Sequence, residues 1–228
     1  MIPVHDKPDK GRGYNRANVD AVMGIDIFFD TACPWCYLGK RRFELALAAR
    51  PQYEVRVNWR PFELRPDIPA EGLDHAARPA ETHAGIERLG EAAGIQFRFD
   101  LIRRVPNTRG SHLLIAQAAR CGLQGQLLDR IMRAYFEEGC DIGDSEELVR
   151  LGRETGLVAA EARNVLVLRV GQDGVVAAER HAAASGITGV PTYVFDRLYT
   201  ISGAQEAAIF AGILDTVADF PTARGVVR

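Results

Sequence analysis

Two cysteines separated by two residues constrain the fold of this sequence more than any other feature. Residues 24–29 alternate and are rich in large apolar side chains, which predicts a buried strand just before the pair. Residues 37–50 follow with a helical pattern, and Pro34 suits a first helical turn because its missing N–H is not needed there. Cys33 and Cys36 are therefore expected at the start of a helix that follows a strand.

The rest of the chain changes between strand-rich and helix-rich stretches. Residues 53–59 alternate as a second strand does, whereas residues 66–168 have little strand character. Helices are predicted within that stretch at 111–121, 127–136 and 145–155, the last with Asp144 or Ser145 as its N-cap. After it come a predicted helix at 173–185, strands at 192–195 and 198–202, and a helix at 204–218. This order predicts an α/β fold interrupted by a helical insertion.

Four motifs carry a resemblance to a known family. They are Asp30-Thr-Ala-Cys-Pro-Trp-Cys-Tyr-Leu-Gly39, Arg60-Pro-Phe-Glu-Leu64, Asn107-Thr-x-x-x-His112, and Gly189-Val-Pro191 with Ser202-Gly-Ala-Gln205. In these motifs the sequence resembles the DsbA-like thioredoxin superfamily, within it the FrnE-type branch that also contains the 2-hydroxychromene-2-carboxylate isomerases. The resemblance covers residues 24–218 and implies an α/β thioredoxin fold with a helical subdomain inserted in the middle.

Domain boundaries follow from the change in pattern and from the resemblance. We expect residues 23–65 and 170–220 to form a thioredoxin-like domain and residues 66–169 to form the inserted helical subdomain. Residues 1–22 are charged and contain no long apolar run, so we expect a disordered tail rather than a secretory signal. No stretch approaches the roughly 18 apolar residues that cross a bilayer. We therefore expect a cytoplasmic protein with no membrane partner.

The charge balance argues against nucleic acid as a partner. The chain has 28 basic and 30 acidic residues and a net charge of −2, whereas nucleic-acid binders usually carry a basic field. Of its 228 residues, 47% are hydrophobic, which is enough for a sizeable core without structural disulfides. In a reducing compartment, a close pair of cysteines is more typical of metal binding or redox chemistry.

Redox chemistry is the interpretation that the pair favours. Unpaired N–H groups and the macrodipole at a helix N-terminus stabilise a thiolate. Cys33 is therefore the predicted nucleophile, and Cys36, one turn further in, is the thiol that resolves the mixed disulfide. Pro34 and Trp35 between them are expected to tune the reduction potential.

A zinc site and a pair of structural thiols are the alternatives to redox chemistry. Zinc sites in proteins usually take four ligands, with a second close pair completing the set. The other two cysteines, Cys121 and Cys140, are far apart in sequence and form no such pair, so no metal is expected. They end two successive predicted helices whose ends lie on opposite sides of a helical hairpin. We expect them to be unbonded, buried and unreactive.

Three further positions are candidate site residues. The resemblance implies that the Val190–Pro191 bond is cis, faces Cys33 and leaves the preceding backbone free to bind an extended substrate; from sequence alone, trans is the commoner state. Asp30 either caps the helix or relays the proton of Cys36, and the cap is the favoured interpretation. His112 either lines the substrate-binding cleft and stabilises a thiolate, or is a hydrogen-bonded packing residue.

The sequence therefore favours a thiol–disulfide oxidoreductase acting on disulfide or dithiol substrates, whether protein, peptide or small molecule. No cofactor is expected, with glutathione as a candidate co-substrate. The first alternative is a glutathione-dependent isomerase or transferase. In that branch, the resemblance implies a serine in place of Cys33 and a Trp-Gly-x-Asp-Arg run where this chain has Ser202-Gly-Ala-Gln205. The second alternative is a peptide-binding, chaperone-like module that uses the apolar rim around Trp35 and Pro191.

Overall fold

The computed structural model describes residues 22–74 and 80–219. The strands of its main sheet are β1 (Met23–Phe29), β2 (Val55–Pro61), β5 (Thr192–Phe195) and β6 (Tyr199–Ser202). Their order across the sheet is β2-β1-β5-β6, with β1 parallel to β2 and the other pairs antiparallel. A separate two-stranded ladder pairs β3 (Leu73–Asp74) with β4 (Arg104–Val105).

Eight α-helices accompany the two sheets in the described residues. They are α1 (Pro34–Ala48), α2 (Ala80–Ala92), α3 (Arg109–Ala119), α4 (Gln124–Glu138), α5 (Ser145–Glu154), α6 (Ala159–Val167), α7 (Gln172–Ala184) and α8 (Ala207–Asp219). Five of them, α2 to α6, come between β2 and α7 in the chain. This is the helical insertion that the sequence predicts.

The alternation of side chains along β1 determines which face of the sheet packs against the main core. Ile25 and Ile27 are fully buried in a cluster with Phe43 of α1 and Phe210 of α8. Phe28 lies on the opposite face, because successive side chains of a strand point to opposite sides. There it packs in a smaller cluster with residues of α7 and the segment after it. The sheet thus has α1 and α8 on one face and α7 on the other.

A second core lies inside the insertion and extends to the helix that follows the cysteine pair. Leu114 of α3, Leu128 and Met132 of α4, and Leu151 of α5 are all fully buried in it. The same cluster includes Cys36 and its neighbours Tyr37 and Leu38. Since Phe43 belongs to the main core, α1 packs against both cores and joins the insertion to the sheet.

The fold class predicted from the sequence is confirmed, and most of the predicted elements are present within a few residues of their predicted bounds. Asp144 is the N-cap of α5, where its carboxylate accepts hydrogen bonds from Glu146 N and Glu147 N. Helices α2 and α6 and the short β3–β4 ladder were not predicted. The tail expected at 1–22 lies, except for residue 22, outside the described residues. The domain boundaries stay a prediction.

Candidate active site

The cysteine pair lies where β1 ends and α1 begins. Cys33 is the N-cap residue, with φ −94° and ψ 114°, and Pro34 occupies the first helical turn. Cys36 N donates a hydrogen bond to Cys33 O at 3.0 Å, which closes that turn. Both side chains are buried, and the structure holds them as free thiols. The motif therefore places one sulfur at the helix entrance and the other one turn inside the protein.

The two thiols have opposite electrostatic environments. A hydrogen bond from the Cys36 side chain lowers the pKa of Cys33 below the ordinary thiol value, and it outweighs the opposing effect of burial. Burial raises the pKa of Cys36 well above its ordinary value, and the hydrogen bond to Cys33 and the charge on that sulfur raise it further. When the reduced pair loses one proton, Cys33 is therefore the thiol that gives it up, and Cys36 keeps its own.

The loop before β5 covers Cys33 from the far end of the chain. The Val190–Pro191 peptide bond is cis, as the resemblance implied. Val190 O accepts a hydrogen bond from the Cys33 thiol at 3.9 Å. Gly203 N donates to Pro191 O at 2.7 Å, which holds the loop against the end of β6. Trp35 is 46% exposed, so an apolar ring borders the cysteine pair on its open side.

Gly39 lies directly against the loop before β5, which leaves no room for a side chain at this position. A Cβ atom on Gly39 would be 3.1 Å from Pro191 Cγ and 2.5 Å from the hydroxyl of Tyr193. Both contacts are closer than carbon side chains normally approach. The glycine that ends the first sequence motif therefore lets the loop reach the cysteine pair.

The structure corrects the predicted role of Asp30. Its buried carboxylate accepts hydrogen bonds from Leu64 N at 2.7 Å and from Ala32 N at 3.2 Å. No side-chain cap is present at the start of α1, because Cys33 itself occupies the N-cap position. Asp30 thus joins the end of β1 to the segment after β2, and the helix-cap interpretation is wrong.

The structure also places His112 differently from the sequence interpretation. Its side chain is 1% exposed, so it lies beneath the cleft and not on its substrate-facing surface. The ring packs 5.0 Å from the ring of Phe29, and Nε2 is 3.8 Å from Asp30 Oδ1. Neither ring nitrogen has a hydrogen-bond partner among the described residues, so His112 is not a hydrogen-bonded packing residue either.

Sequence reasoning missed a buried ion pair close to His112. Glu63, whose side chain is 1% exposed, accepts a hydrogen bond from Nε of Arg109. A second carboxylate, that of Glu179 on α7, lies 3.7 Å from the same guanidinium group. Glu63 and Arg109 each lie inside one of the quoted motifs, which is the only signal the sequence offers. That they meet follows from the tertiary structure alone.

The two cysteines outside the motif are unbonded, as expected, but neither is fully buried, contrary to expectation. Cys121 is exposed and Cys140 is half-buried. Burial raises the pKa of Cys140 to about 11, with the neighbouring Glu147 adding to the effect, so this thiol is unreactive at neutral pH. Cys121 lies just beyond the end of α3, where no helix covers it, and the expectation that it is buried is wrong.

Two absences apply to the described part of the chain. It contains no group of three His, Cys, Asp or Glu side chains placed to bind a metal ion. It also contains no helix that is both long and apolar enough to cross a membrane.

A groove of about 1000 Å³ begins at Val190 and Pro191. It runs between α7 and the face of the sheet opposite the main core, where Phe28 and Val194 form part of its floor. The groove therefore extends along the sheet from the loop that covers Cys33, and it is large enough for a peptide-sized or smaller ligand.

Comparisons with known proteins agree with this arrangement. The model of the DSBA-like thioredoxin domain family matches residues 24–215. The uncharacterized protein YwbO of Bacillus subtilis (strain 168) is 32% identical over 194 residues, which are 82% of this chain and 92% of that protein. The crystal structure of the probable DsbA oxidoreductase SCO1869 from Streptomyces coelicolor is 34% identical with a TM-score of 0.80, covering 90% of this chain and 93% of that one.

A more distant structure shares the fold. The cytosolic disulfide reductase DsbM from Pseudomonas aeruginosa, solved with GSH, is 21% identical with a TM-score of 0.61, covering 86% of this chain and all of that one. The family model extends over residues 24–215, which include both the cysteine pair and the loop that covers it, and the two relatives above 30% identity also extend over most of the chain. The chain therefore belongs to the DSBA-like thioredoxin domain family, a family of thiol oxidoreductases.

Proposed function

We propose that the protein is a thiol–disulfide oxidoreductase that exchanges the Cys33–Cys36 pair with disulfides or dithiols of proteins, peptides or small molecules. The observation that carries this proposal is the opposite shift of the two pKa values, lowered at Cys33 and raised at Cys36. The thiolate is the attacking species in disulfide exchange, and in this pair Cys33 is the thiol that ionises first while Cys36 keeps its proton.

The proposed reaction has two exchange steps. In the first, the Cys33 thiolate attacks a substrate disulfide, a mixed disulfide forms, and one substrate sulfur leaves as a thiolate that takes a proton from water. In the second, Cys36 loses its proton and attacks the Cys33 sulfur. The Cys33–Cys36 disulfide forms and the second substrate thiol is released. The protein is oxidised by two electrons as the substrate is reduced, and the reverse sequence oxidises a dithiol substrate.

Asp30 is the base that we propose for the second step. It is the carboxylate whose charge raises the pKa of both cysteines, so it lies within electrostatic reach of the pair. Its hydrogen bonds from Leu64 N and Ala32 N hold it in place. A fixed carboxylate next to a buried thiol takes up the proton that must leave before the thiol can attack.

Substrate binding is assigned to the open side of the pair. Val190 O already accepts a hydrogen bond from the Cys33 thiol, so a substrate sulfur that approaches Cys33 lies beside this backbone. We propose that an extended substrate pairs with the backbone of Val190, next to Pro191 and the exposed ring of Trp35. Pro34 and Trp35, between the two sulfurs, are the residues proposed to tune the reduction potential.

Glutathione is the small-molecule partner that we propose. The distant structure of DsbM contains it, and the groove beside Pro191 has room for a tripeptide. A cytoplasmic location fits a reaction with glutathione, since that compartment maintains a pool of reduced thiols. The isomerase alternative is less well supported, because Cys33 stands where that branch usually has a serine.

The test is disulfide exchange on a quenched di-cystinyl peptide with dithiothreitol as the reductant. Wild type is compared with Cys33→Ser, Cys36→Ala and the control Cys121→Ala, which removes an exposed thiol outside the site. We expect turnover by wild type and by Cys121→Ala, none by Cys33→Ser, and a trapped mixed disulfide with Cys36→Ala. A wild type no faster than buffer would overturn the proposal. Peptide binding that survives the loss of both thiols would instead favour the chaperone-like module.

A further inference from the structure

Three ionisable side chains are buried in succession beneath the cysteine pair. Asp30 lies at the end of β1, His112 on α3, and Glu63 in the segment after β2. A hydrogen bond between Thr31 Oγ1 and Ser111 Oγ, 2.7 Å long, fixes α3 against the end of β1. The three groups are therefore held in one place by three different segments of the chain.

His112 has no hydrogen bond that accounts for its burial. Nδ1 and Nε2 are both buried and have no partner among the described residues. Nε2 is nevertheless 3.8 Å from Asp30 Oδ1, slightly beyond hydrogen-bond length. Native proteins rarely leave a buried polar group without a partner, and such groups often take part in the chemistry of a site. A small approach of the ring toward Asp30 would complete the bond.

Glu63 has one bound and one unbound carboxylate oxygen. Oε1 accepts from Arg109 Nε, whereas Oε2 is buried without a partner among the described residues. Burial raises the pKa of Glu63. Arg109 and, more weakly, His112 oppose this effect and lower the pKa. The imidazole of His112 therefore lies within electrostatic reach of Glu63 as well as beside Asp30.

Glu63 and Arg109 also line a cavity of about 410 Å³ on the side away from the cysteine pair. Its other polar lining residues include Asn107, Ser145 and Arg169. A polar cavity of this size has room for several water molecules. The three buried groups thus extend from the cysteine pair to a place where a proton can enter water.

We propose that His112 passes the proton of Cys36 from Asp30 to Glu63, and so to water in this cavity. The inference rests on the proposed disulfide exchange. Cys36–SH gives its proton to the Asp30 carboxylate, Asp30 gives it to one nitrogen of His112, and the other nitrogen gives it to Glu63. Glu63 releases it to water, and every group returns to its starting state. When a dithiol is oxidised, the same path runs in reverse.

The charged groups around His112 favour this path. Asp30 faces it from the end of β1, Glu63 faces it from the segment after β2, and both are carboxylates. Arg109 lies on the same helix and is bound to Glu63, with Glu179 of α7 beside it. A positive charge on the imidazole therefore has the Asp30 carboxylate 3.8 Å from Nε2 and the Glu63 carboxylate within electrostatic reach, and both stabilise the protonated intermediate.

The test follows the two exchange steps separately in His112→Gln. Formation of the mixed disulfide and its resolution by Cys36 are measured by stopped flow between pH 6 and 9.5. We expect resolution to slow at least tenfold at pH 7 and to recover as pH rises, since hydroxide then removes the proton. The rate and pH midpoint of Cys33 alkylation should stay at wild-type values. A structural role would not separate these two readouts.

Glu63→Gln is the second variant, because its amide oxygen still accepts from Arg109 but cannot take a proton. We expect it to slow resolution at least threefold with the same recovery at high pH. The matched control is Glu161→Gln, which removes an exposed carboxylate of α6 outside both the groove and the polar cavity and should behave as wild type. Resolution at the wild-type rate and pH profile in His112→Gln would overturn the relay alone. Both steps slowing together would also overturn it, and a wild type without exchange would overturn the proposed function as well.

Discussion

Cys33 and Cys36 are separated by less than one helical turn, but their sulfur atoms have different surroundings. Cys33 is at the N-cap, where it receives a hydrogen bond from its partner and lies under the carbonyl group of Val190. Cys36 is inside the core that the insertion builds, where no charge is readily accommodated. The proposed division of labour between nucleophile and resolving thiol is thus set by the hydrogen bond that Cys36 gives to Cys33 and by the burial of Cys36, and not by the residue type.

The first prediction concerns the order in which these thiols react. In reduced Cys121→Ala protein, iodoacetamide should alkylate Cys33 at least tenfold faster than Cys36 at pH 7. The lowered pKa means that the Cys33 thiolate is populated at lower pH than in an ordinary cysteine, so its alkylation midpoint should fall below that of a free cysteine in solution. Mass spectrometry of digested samples measures both rates. Labelling of Cys36 before Cys33 would contradict the assignment.

The second prediction concerns Gly39. Gly39→Ala places a Cβ 2.5 Å from the Tyr193 hydroxyl and 3.1 Å from Pro191 Cγ, so we expect a loss of about 1–3 kcal/mol from overpacking. Exchange activity should fall with it, because the covering loop is displaced. The control is Gly85→Ala in α2, where nothing lies within 4 Å and helix propensity favours alanine by about 0.5–1 kcal/mol. Urea unfolding of both variants provides the comparison, and equal effects would refute the packing argument.

At the scale of elements, the strands and the strongest helices could be predicted because their patterns are regular. In β1 the buried Ile25 and Ile27 alternate as a strand requires, and α4 keeps an apolar stripe that includes Leu128 and Met132. Helix α6 escaped prediction because Val158 and Val167 at its ends are exposed apolar residues that blur the pattern, and it has no side-chain cap.

Helix α2 was missed for a different reason. Gly85 and Gly90 lower its helix propensity, yet Gly90 is required by packing. A Cβ there would be 2.5 Å from the ring of Phe97, in the chain segment that folds back after the helix. Only the tertiary contact reveals why a poor helix former is present.

The candidate site also contains features that a local motif predicts and features that only the tertiary structure reveals. The cysteine pair and the Val190–Pro191 loop could be predicted because each has a local motif. The Glu63–Arg109 pair could not, since its members are 46 residues apart and meet only when α3 packs against the end of β1. The sequence predicts a cap at Asp30 because a carboxylate just before a helix usually caps that helix. In the structure the carboxylate instead accepts a hydrogen bond from Leu64 N.

The third prediction concerns the N-cap of α5. Asp144→Ala removes the acceptor for Glu146 N and Glu147 N, so we expect the free energy of unfolding to fall by about 1 kcal/mol. Asp144→Ser keeps a capping oxygen, so its free energy of unfolding should fall by only about a few tenths of a kcal/mol. Because the hydrogen bonds of the Asp144 side chain reach only the first turn of α5 and not the cysteine pair, exchange activity at 25 °C should not change in either variant. If the two variants lose the same free energy of unfolding, the capping hydrogen bonds contribute nothing to stability.

For the molecule as a whole, several groups that must stay protonated in the folded state are distributed over both cores. Burial raises the pKa values of Cys36, Tyr193 and Tyr37, and that of Cys140 rises to about 11. In the unfolded chain these groups ionise near pH 8.5 for cysteine and 10 for tyrosine, as typical values. Their contribution to stability is complete below those values and is lost as pH rises through the folded pKa values.

The fourth prediction is therefore a steep alkaline loss of stability in the reduced protein. The free energy of unfolding should fall between pH 9 and 11 by more than about 1.4 kcal/mol per pH unit, the slope that one proton gives. Tyr193→Phe removes one of the responsible protons, so its curve should be flatter above pH 10 and parallel to wild type between pH 7 and 8. Urea titrations at each pH measure this. Parallel curves throughout would show that Tyr193 ionises normally in the folded state.

The contact between Cys33 and Val190 also has a consequence for synthesis. The two residues are 157 positions apart in the chain. At a translation rate of about 5–20 residues per second, Val190 is added on the order of 10–30 s after Cys33. During that interval the nucleophile has no carbonyl group above it and no groove beside it. A newly made molecule therefore carries Cys33 through the exit of the ribosome uncovered, and it acquires the proposed substrate site only when the last quarter of the chain has been translated.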